Sequence, residues 1–282
     1  MGKRLGYCCL GILLVITKSY SWNALGHRLV AQIAYNHLTK QAKQIFNHYN
    51  HTLDKRYRPQ SLVNAAVWLD RLHDQNQLWL APKHYINIPF TKDGTRLIQP
   101  ARVNAVSAVE EAMRVINSPQ KSELVKGFSL RVLLHVVGDL HQPMHAVNQF
   151  SVRYPKGDKG GNLYLLGANP IASNLHSYWD KGGGMLSKKR HYSQAQVNRL
   201  AYRIEQRWPC SIASVNLQPK VWATESHQLA IHKAYQIKAG QKPDKRYQRM
   251  VKATTEERLA IAGCRLAAVL NTLAANYEAK NK

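Results

Sequence analysis

Three histidines and one aspartate fall within eleven residues near the middle of the chain, and they limit the chemistry that the protein can perform. An apolar run leads into this segment and predicts a buried helix. On that helix His135 and Asp139 are four residues apart and share one face, whereas Pro143 ends the helix and leaves His145 on the following turn. Imidazole nitrogens and carboxylate oxygens are the ligands of catalytic zinc. The segment therefore predicts a metal site, and a helix with satisfied core histidines is the alternative.

A second pair, His176 and Asp180, has the same spacing of four on a predicted short helix. Together with His145 it would complete a site of two histidines and one aspartate. Taken alone such a pair is more often a surface contact, but its second occurrence beside apolar residues favours metal binding.

Two further residues, Asp70 and His84, could join His135 and Asp139 in another site. Asp70 follows an apolar run, and His84 begins a segment of alternating apolar residues. Taken singly, each is better explained as an ordinary aspartate at a helix end or a half-exposed histidine.

Residues 1–21 have the pattern of a secretory signal peptide. A basic start precedes the apolar residues 10–16, which are too few to span a bilayer. Cleavage after Ser21 would make Trp22 the first residue. No later run looks long and apolar enough for a membrane helix, so we expect a soluble protein that is secreted or periplasmic.

A new amino terminus at Trp22 would lie five residues before His27. An α-amine has a much lower pKa than a lysine and binds metal once it is deprotonated. The alternative is that His27 merely starts a helix beside an aromatic residue that packs on the core.

Charge and length constrain the partners and the architecture. Lys and Arg number 40 against 16 Asp and Glu, a formal charge of +24, which favours encounter with polyanions such as nucleic acid but says nothing about chemistry. Residues 22–282 suit one domain with a sizeable core. Of the four cysteines, Cys210 and Cys264 would remain after cleavage; one disulfide or two free thiols are nearly equal alternatives.

The periodicity predicts an all-α, mainly helical single domain with at most a short hairpin. Short strands are expected only at residues 85–88 and 163–166. Helices are expected at residues 26–38, 39–49 capped by Thr39, 61–69 capped by Ser61, 103–116, about 128–142, from Asn174 through Trp179, 193–208, 219–238 and 243–277.

Six motifs together resemble the zinc-dependent single-strand nucleases and 3′-nucleotidases of the S1/P1 type, which share a fold with zinc-dependent phospholipase C. The resemblance covers the whole mature chain. The motifs are Trp-Asn-x-x-Gly-His, Trp-x-Asp, His-Tyr-x-x-x-Pro, His-x-x-Gly-Asp-x-His-Gln-Pro-x-His, Gly-Gly-Asn and His-x-x-x-Asp, at residues 22–27, 68–70, 84–89, 135–145, 160–162 and 176–180.

This resemblance implies three zinc ions and fills all nine ligand positions of the family. The first ion would bind Asp70, His84 and His135. The second would bind His27 and the amine and carbonyl of Trp22, and Asp139 would bridge these two ions. The third would bind His145, His176 and Asp180. Two such metals can hold a bridging hydroxide that attacks phosphorus in line and leaves a 5′-phosphate. Asp70 would also orient this nucleophile, and His141 would belong to the core or support the ligands.

The resemblance also suggests substrate contacts. Tyr85 stands where the family stacks an unpaired base, and Asn162 would line the cleft. Fungal members contact the base edge with an aspartate two residues after the aromatic residue, where this chain has Asn87. They also place an arginine near the phosphate, at a position where this chain has His73, with Arg71 nearby. An amide donates as well as accepts, so the base preference of the fungal members does not carry over to this chain. With His73 in place of the arginine, we expect the stabilisation of transition-state charge to be weaker or to depend differently on pH.

The sequence thus predicts an exported, monomeric endonuclease that acts on single-stranded DNA and RNA, and on nucleotides as a 3′-nucleotidase, without stable membrane association. A phospholipase C on the same fold is the alternative enzyme, but that family has a longer gap after its N-terminal tryptophan and a glutamate where this chain has Asp180. A protein that only binds nucleic acid or sequesters zinc is the non-enzymatic alternative. Structural zinc sites are usually rich in cysteine, and only Cys210 and Cys264 would remain after cleavage, which argues against this non-enzymatic alternative.

Overall fold

The computed structural model describes residues 22–74, 77–187, 191–210 and 216–281, and α-helices make up most of them. The helices are α1 (Ala24–Asn36), α2 (Lys40–His51), α3 (Leu62–Ala65), α4 (Trp68–Asp74), α5 (Ala105–Asn117), α6 (Glu123–Leu140), α7 (Leu175–Asp180), α8 (Gln194–Arg207), α9 (Pro219–His232) and α10 (Lys245–Asn281). The predicted mainly helical fold is confirmed. The expected signal peptide lies outside the described residues.

Side-chain capping sets the start of several helices, as the sequence predicted for Thr39 and Ser61. Thr39, Ser61, Asn174 and Ser193 each accept a hydrogen bond from a backbone N–H in the first turn of the helix that follows, which satisfies a donor that has no partner within the helix. The prediction was less accurate elsewhere. The helix expected at residues 61–69 is divided into α3 and α4, and α9 ends six residues before the expected end.

The two strands are not where the sequence predicted them, and they do not form a hairpin. β1 (Pro89–Thr91) and β2 (Asn148–Phe150) pair in parallel, with Pro89 opposite Asn148. Residues 85–88 and 163–166 are not strands among the described residues. The prediction was wrong because this short pair arises from the joining of two distant segments and not from a strand pattern within either one.

α6 is the central helix of the core. From Ser129 to Leu140 every residue is buried, so no face of this part of the helix is free to carry solvated side chains. It packs against α5, α2, α1 and α10. Polar side chains on α6 are therefore held in an apolar surrounding, where they need partners.

α10 is the one helix in the described ranges that is long and apolar enough to cross a membrane, and 67% of its apolar stretch is buried inside the protein. The expectation that no segment after residue 21 would reach this length and apolarity was therefore wrong. α10 packs against α1, α2, α5, α6 and α8, which is how a core helix of a globular protein acquires such a composition. At its closest approach to α1, a Cβ on Gly263 would lie 2.5 Å from the Cβ of Ile33.

A disulfide joins Cys210, just beyond α8, to Cys264 on α10. The two Cα atoms are 5.3 Å apart and the bond spans 54 residues of sequence. Of the two alternatives left open by the sequence, the disulfide is thus the one observed. A disulfide is compatible with folding in an oxidising compartment.

Replacing both cysteines, as C210S/C264S, should lower the melting temperature of the protein. Removing a cross-link over a loop of this length costs roughly 2–4 kcal/mol, chiefly because the unfolded chain gains freedom, which corresponds to roughly 5–15 °C in a domain of this size. Differential scanning calorimetry would measure the change. An unchanged melting temperature would show that the disulfide does not stabilise the fold.

Candidate metal centre

The centre is built around two neighbouring side chains of α6, His135 and Asp139, which are both fully buried. His135 Nε2 lies 3.3 Å from Asp139 Oδ2 and 3.4 Å from Asp70 Oδ1. His84 Nδ1 lies 3.2 Å from the same Asp139 oxygen and 3.0 Å from His135 Nε2. Two imidazoles and two carboxylates therefore converge on one point.

A second group forms on the other side of the same carboxylate. Asp139 Oδ1 lies 3.4 Å from His27 Nε2, and the ring of His27 stacks on that of His135 with centroids 3.8 Å apart. Trp22 is fully buried and its indole lies close to Gly138, the residue before Asp139. The two oxygens of Asp139 thus face two different groups of ligands.

A third group lies beyond the end of α6. His145 lies on the predicted turn, which is a short 3₁₀ helix, and its Nε2 is 3.8 Å from Asp180 Oδ1. His176 Nε2 is 3.5 Å from Asp180 Oδ2, one turn away on α7. All three side chains are buried.

The spacing of these atoms suits a bound cation better than direct contacts between the side chains. Charge-assisted N–H···O bonds are about 2.7–2.9 Å long, and the nitrogen–oxygen separations here are longer. Ligands at about 2.0–2.1 Å from a tetrahedral zinc ion lie roughly 3.3 Å from one another, which is close to the observed values. Neither oxygen of the fully buried Asp139 makes a hydrogen bond of its own, nor does Nε2 of His145. The residues present therefore fit divalent metal ions.

Backbone carbonyls fix the orientation of three of the imidazoles. Nδ1 of His135 lies 2.7 Å from the oxygen of Ala66, Nδ1 of His145 lies 2.6 Å from that of His84, and Nδ1 of His176 lies 2.7 Å from that of Gly160. A carbonyl oxygen can only accept, so each Nδ1 carries the proton. In a neutral ring Nε2 is then a lone-pair donor directed at the site, as in the outer shell of many metal sites.

The strand pair holds the first and third groups next to each other. His145 donates to the carbonyl of His84, and the N–H of Ile86 donates in return to the carbonyl of His145 at 2.8 Å. Asn148 then donates to Ile88, and β1 and β2 continue the pairing. The distance between two ligands far apart in sequence is therefore set by a short ladder of backbone bonds.

Gly160 supports the third group through its backbone. It adopts φ +63°, and a Cβ there would lie 2.6 Å from the carbonyl oxygen of Met144, so only glycine fits this close approach. Lys159 donates its N–H to the side chain of Asn148 at 2.9 Å, which ties the loop to β2. The carbonyl oxygen of Gly160 is the partner of His176 Nδ1.

One supporting residue was not predicted at all. The amide of Gln142 donates to Asp180 Oδ1 at 2.6 Å and holds that carboxylate in place. Gln142 lies within the motif that contains His145, so its position in that motif was the available signal.

His141 is buried away from the cluster, where its Nδ1 contacts the carbonyl of Val137 at 2.7 Å and its Nε2 accepts from Arg265.

The charges of the cluster shift one another strongly. Burial lowers the pKa of His27 to about 3, with the charge of His135 adding to the effect. Burial also acts to lower the pKa of His135, but Asp139 and Asp70 outweigh it and raise that pKa to about 9. For Asp139, burial would raise the pKa, but the neighbouring imidazoles, His135 foremost, hold it well below its usual range. Burial raises the pKa of Asp180 well above the usual value.

The expected substrate contacts lie at the edge of this cluster. Tyr85 directly follows His84 and is 37% exposed, with a pKa raised by the partial burial of its ring. Asn87 is half-buried, as is Asn162, whose amide donates to the carbonyl of Lys159 at 2.8 Å. The side chain of His73 lies outside the described residues.

The histidines without predicted ligand spacing are mostly at the surface, but one is not. His227 is only 8% exposed and its Nδ1 lies 3.1 Å from the carbonyl of Ala146. A surface group of His37, Glu205 and Cys210 also has ligand atoms close together. Its sulfur is part of the disulfide and cannot bind metal as a thiolate.

Comparison with known proteins identifies the family of this chain. The sequence pattern of the S1/P1 nuclease family matches residues 22–275. Endonuclease 2 of Arabidopsis thaliana is 26% identical over 289 residues, covering 93% of each chain. Nuclease S1 of Aspergillus oryzae is 25% identical over 197 residues, covering 64% of this chain and 63% of its own, and nuclease P1 of Penicillium citrinum is 25% identical over 198 residues, covering 64% and 67%.

The family match begins at Trp22 and continues through every group of metal-binding side chains described above. The chain accordingly belongs to the S1/P1 nuclease family, whose members depend on metal, and it is a nuclease that hydrolyses phosphodiester bonds of nucleic acids.

Proposed function

We propose that the protein is an exported, monomeric, zinc-dependent endonuclease that cleaves single-stranded DNA and RNA to 5′-phosphate products and also removes 3′-phosphates from nucleotides. The observation that carries the proposal is Asp139, a fully buried carboxylate whose two oxygens face two different sets of imidazoles. The named relatives are nucleases, which favours this activity over that of a phospholipase C.

Three zinc ions would occupy the three groups. Asp70, His84 and His135 would hold the first and His145, His176 and Asp180 the third. The second would bind His27 and the amine and carbonyl of Trp22, and Asp139 would bridge it to the first. These donor sets of nitrogen and oxygen are typical of catalytic zinc and leave positions for water or substrate.

The second site requires that residues 1–21 be removed as a signal peptide and that residues 22–282 form the mature nuclease domain. Only then does Trp22 carry a free α-amine. The family match begins at residue 22, and Trp22 is buried beside Gly138, which supports a terminus at this point.

When bound, the zinc ions supply positive charge beside the scissile phosphate and a nucleophile derived from water. The protein side chains position these reactants. Asp70 lies at the rim of the cluster and is 8% exposed, so its second oxygen can orient the attacking water in line with phosphorus. Asp139 is kept ionised by the imidazoles around it, and the carbonyls of Ala66, His84 and Gly160 prevent their rings from turning.

Selection of single strands would depend on Tyr85. Its exposed ring lies one residue from His84 and can stack on an unpaired base, whereas a paired base has no free face. Asn87 would contact the base edge as donor or acceptor. Asn162 and His73 would contact the sugar–phosphate backbone beside the cluster.

Removing the metal should abolish activity. A chelator should stop cleavage of single-stranded DNA, and zinc should restore it, with three zinc ions per chain by elemental analysis. Asp139→Asn should lower kcat/KM by more than about 100-fold, since loss of a residue that only supports a ligand typically costs 10–100-fold. Glu111→Gln, an exposed carboxylate paired with Arg114 on α5, is the control. Full activity of Asp139→Asn would refute the proposal.

The amino terminus can be tested without touching a side chain. One glycine added before Trp22 would move the α-amine away from His27, so the mature protein should bind one zinc ion fewer and lose activity. The same glycine added after Lys282 should change neither. Three zinc ions and full activity in the extended protein would exclude the amine as a ligand.

Zinc binding should release protons at pH 7.5. The metal-free protein keeps a proton on His135, because its pKa of about 9 lies above this pH, and a ligand imidazole must lose that proton from Nε2. Zinc affinity should therefore rise with pH up to about 9. Isothermal titration calorimetry in buffers of different ionisation enthalpy would measure the release. Equal heats in every buffer would contradict it.

A further inference from the structure

Two arginines directly follow residues of the metal centre in the sequence and have no acidic partner among the side chains that the structure describes. Arg28 follows His27 on α1, and Arg71 follows Asp70 on α4. Among the residues that the structure describes, no carboxylate lies within 4 Å of either guanidinium. The two are close enough for the charge of Arg71 to add to burial in lowering the pKa of Arg28. This is a repulsive arrangement, and it stands next to residues that serve the reaction.

Two buried arginines of the core, in contrast, share an acidic partner. Arg258 and Arg265 both contact Glu225, at 3.0 and 2.7 Å, and Arg207 contacts Glu256 at 2.7 Å. Arg28 is half-buried and has no such partner, which is costly, whereas Arg71 is exposed. A bound anion between the two would supply the countercharge that Arg28 lacks.

Both side chains line a cavity of about 340 Å³. α1 and the α3–α4 segment form its walls, and Asn64, His191 and Tyr192 add polar groups to its lining. Arg28 is held in a fixed position, because it donates to the carbonyl of Tyr192 at 2.7 Å and to the side chain of Gln194 at 3.3 Å. Its Nε is buried and has no hydrogen-bond partner.

The cavity continues into a larger one of about 720 Å³, with which it shares Leu25, Leu186 and Tyr192. Arg199 and Arg203, one turn apart on α8, line this continuation. A cleft with cations along it and a tyrosine between its two parts has the features of a surface that follows a nucleic-acid backbone.

We propose that Arg28 and Arg71 form a phosphate subsite, which binds a backbone phosphate of the single strand next to the one that is cleaved, and that the rest of the strand follows the cleft toward α8. Arginine forks suit phosphate oxygens and stay charged at all relevant pH values. This inference rests on the proposed action on single-stranded polynucleotides. It explains how the enzyme would prefer a long strand to a short one, since a dinucleotide has no second phosphate to offer.

The test uses the mature, zinc-loaded protein with dT12 and with the dinucleotide dTpdT as substrates. For R28Q/R71Q we expect kcat/KM on dT12 to fall about tenfold, mainly through KM, and the salt dependence of log(kcat/KM) to become shallower by about 0.7, the value for one lost phosphate contact on a single strand. The loss on dTpdT should be less than about threefold. R71Q alone should give an intermediate loss, and R28K should keep most of the affinity.

R246Q/R249Q is the matched control, because it removes two exposed arginines of α10 that line neither cavity. It should change kcat/KM less than about twofold. Equal behaviour of R28Q/R71Q and this control would overturn the subsite, as would an equal loss on dT12 and dTpdT.

Failure of the proposed function would be recognised separately. If the parent protein does not cleave dT12, binding of fluorescent dT12 by anisotropy replaces the kinetics. Weaker binding by R28Q/R71Q than by R246Q/R249Q would then still support the subsite, and equal binding would refute it.

Discussion

The structure depends on one buried negative charge. The carboxylate of Asp139 lies in the last turn of α6, in the part of the helix where every residue is buried, and transferring an ionised group into such surroundings costs several kcal/mol unless cations compensate it. Three imidazoles surround it within 3.4 Å, and they come from α1, from the segment before β1 and from α6 itself. The packing of these elements around α6 is therefore also what assembles the metal centre.

A second constraint is the orientation of the imidazole rings. A histidine in a core can turn about its side-chain bonds, and a metal site needs one nitrogen at one place. Here the carbonyls of Ala66, His84 and Gly160 each receive an Nδ1 proton, and the parallel pair of β1 and β2 ties two ligand segments to each other. Backbone geometry thus fixes the rings, so the site is formed by the fold and does not wait for its ligand.

Much of the centre could be predicted from the sequence because its signals are local. His135 with Asp139, and His176 with Asp180, share a helix face through spacing alone, and the polar residues that start α2 and α7 identify the beginnings of those helices. The motifs of the family then joined the separate groups. What could not be predicted depends on contacts between distant segments. The strand pair has no strand pattern, Gln142 has a role only because Asp180 lies beside it, and Arg28 meets Arg71 only after α1 packs on α3.

The most direct test of the central claim is the location of zinc in crystals of the mature protein. Anomalous diffraction collected on both sides of the zinc absorption edge should give three peaks, one within about 2.0–2.2 Å of ligand atoms in each group, and Asp139 should contact two of them. The absence of a peak between Asp139 and His27, or peaks only at surface histidines, would contradict the account of a bridged metal centre.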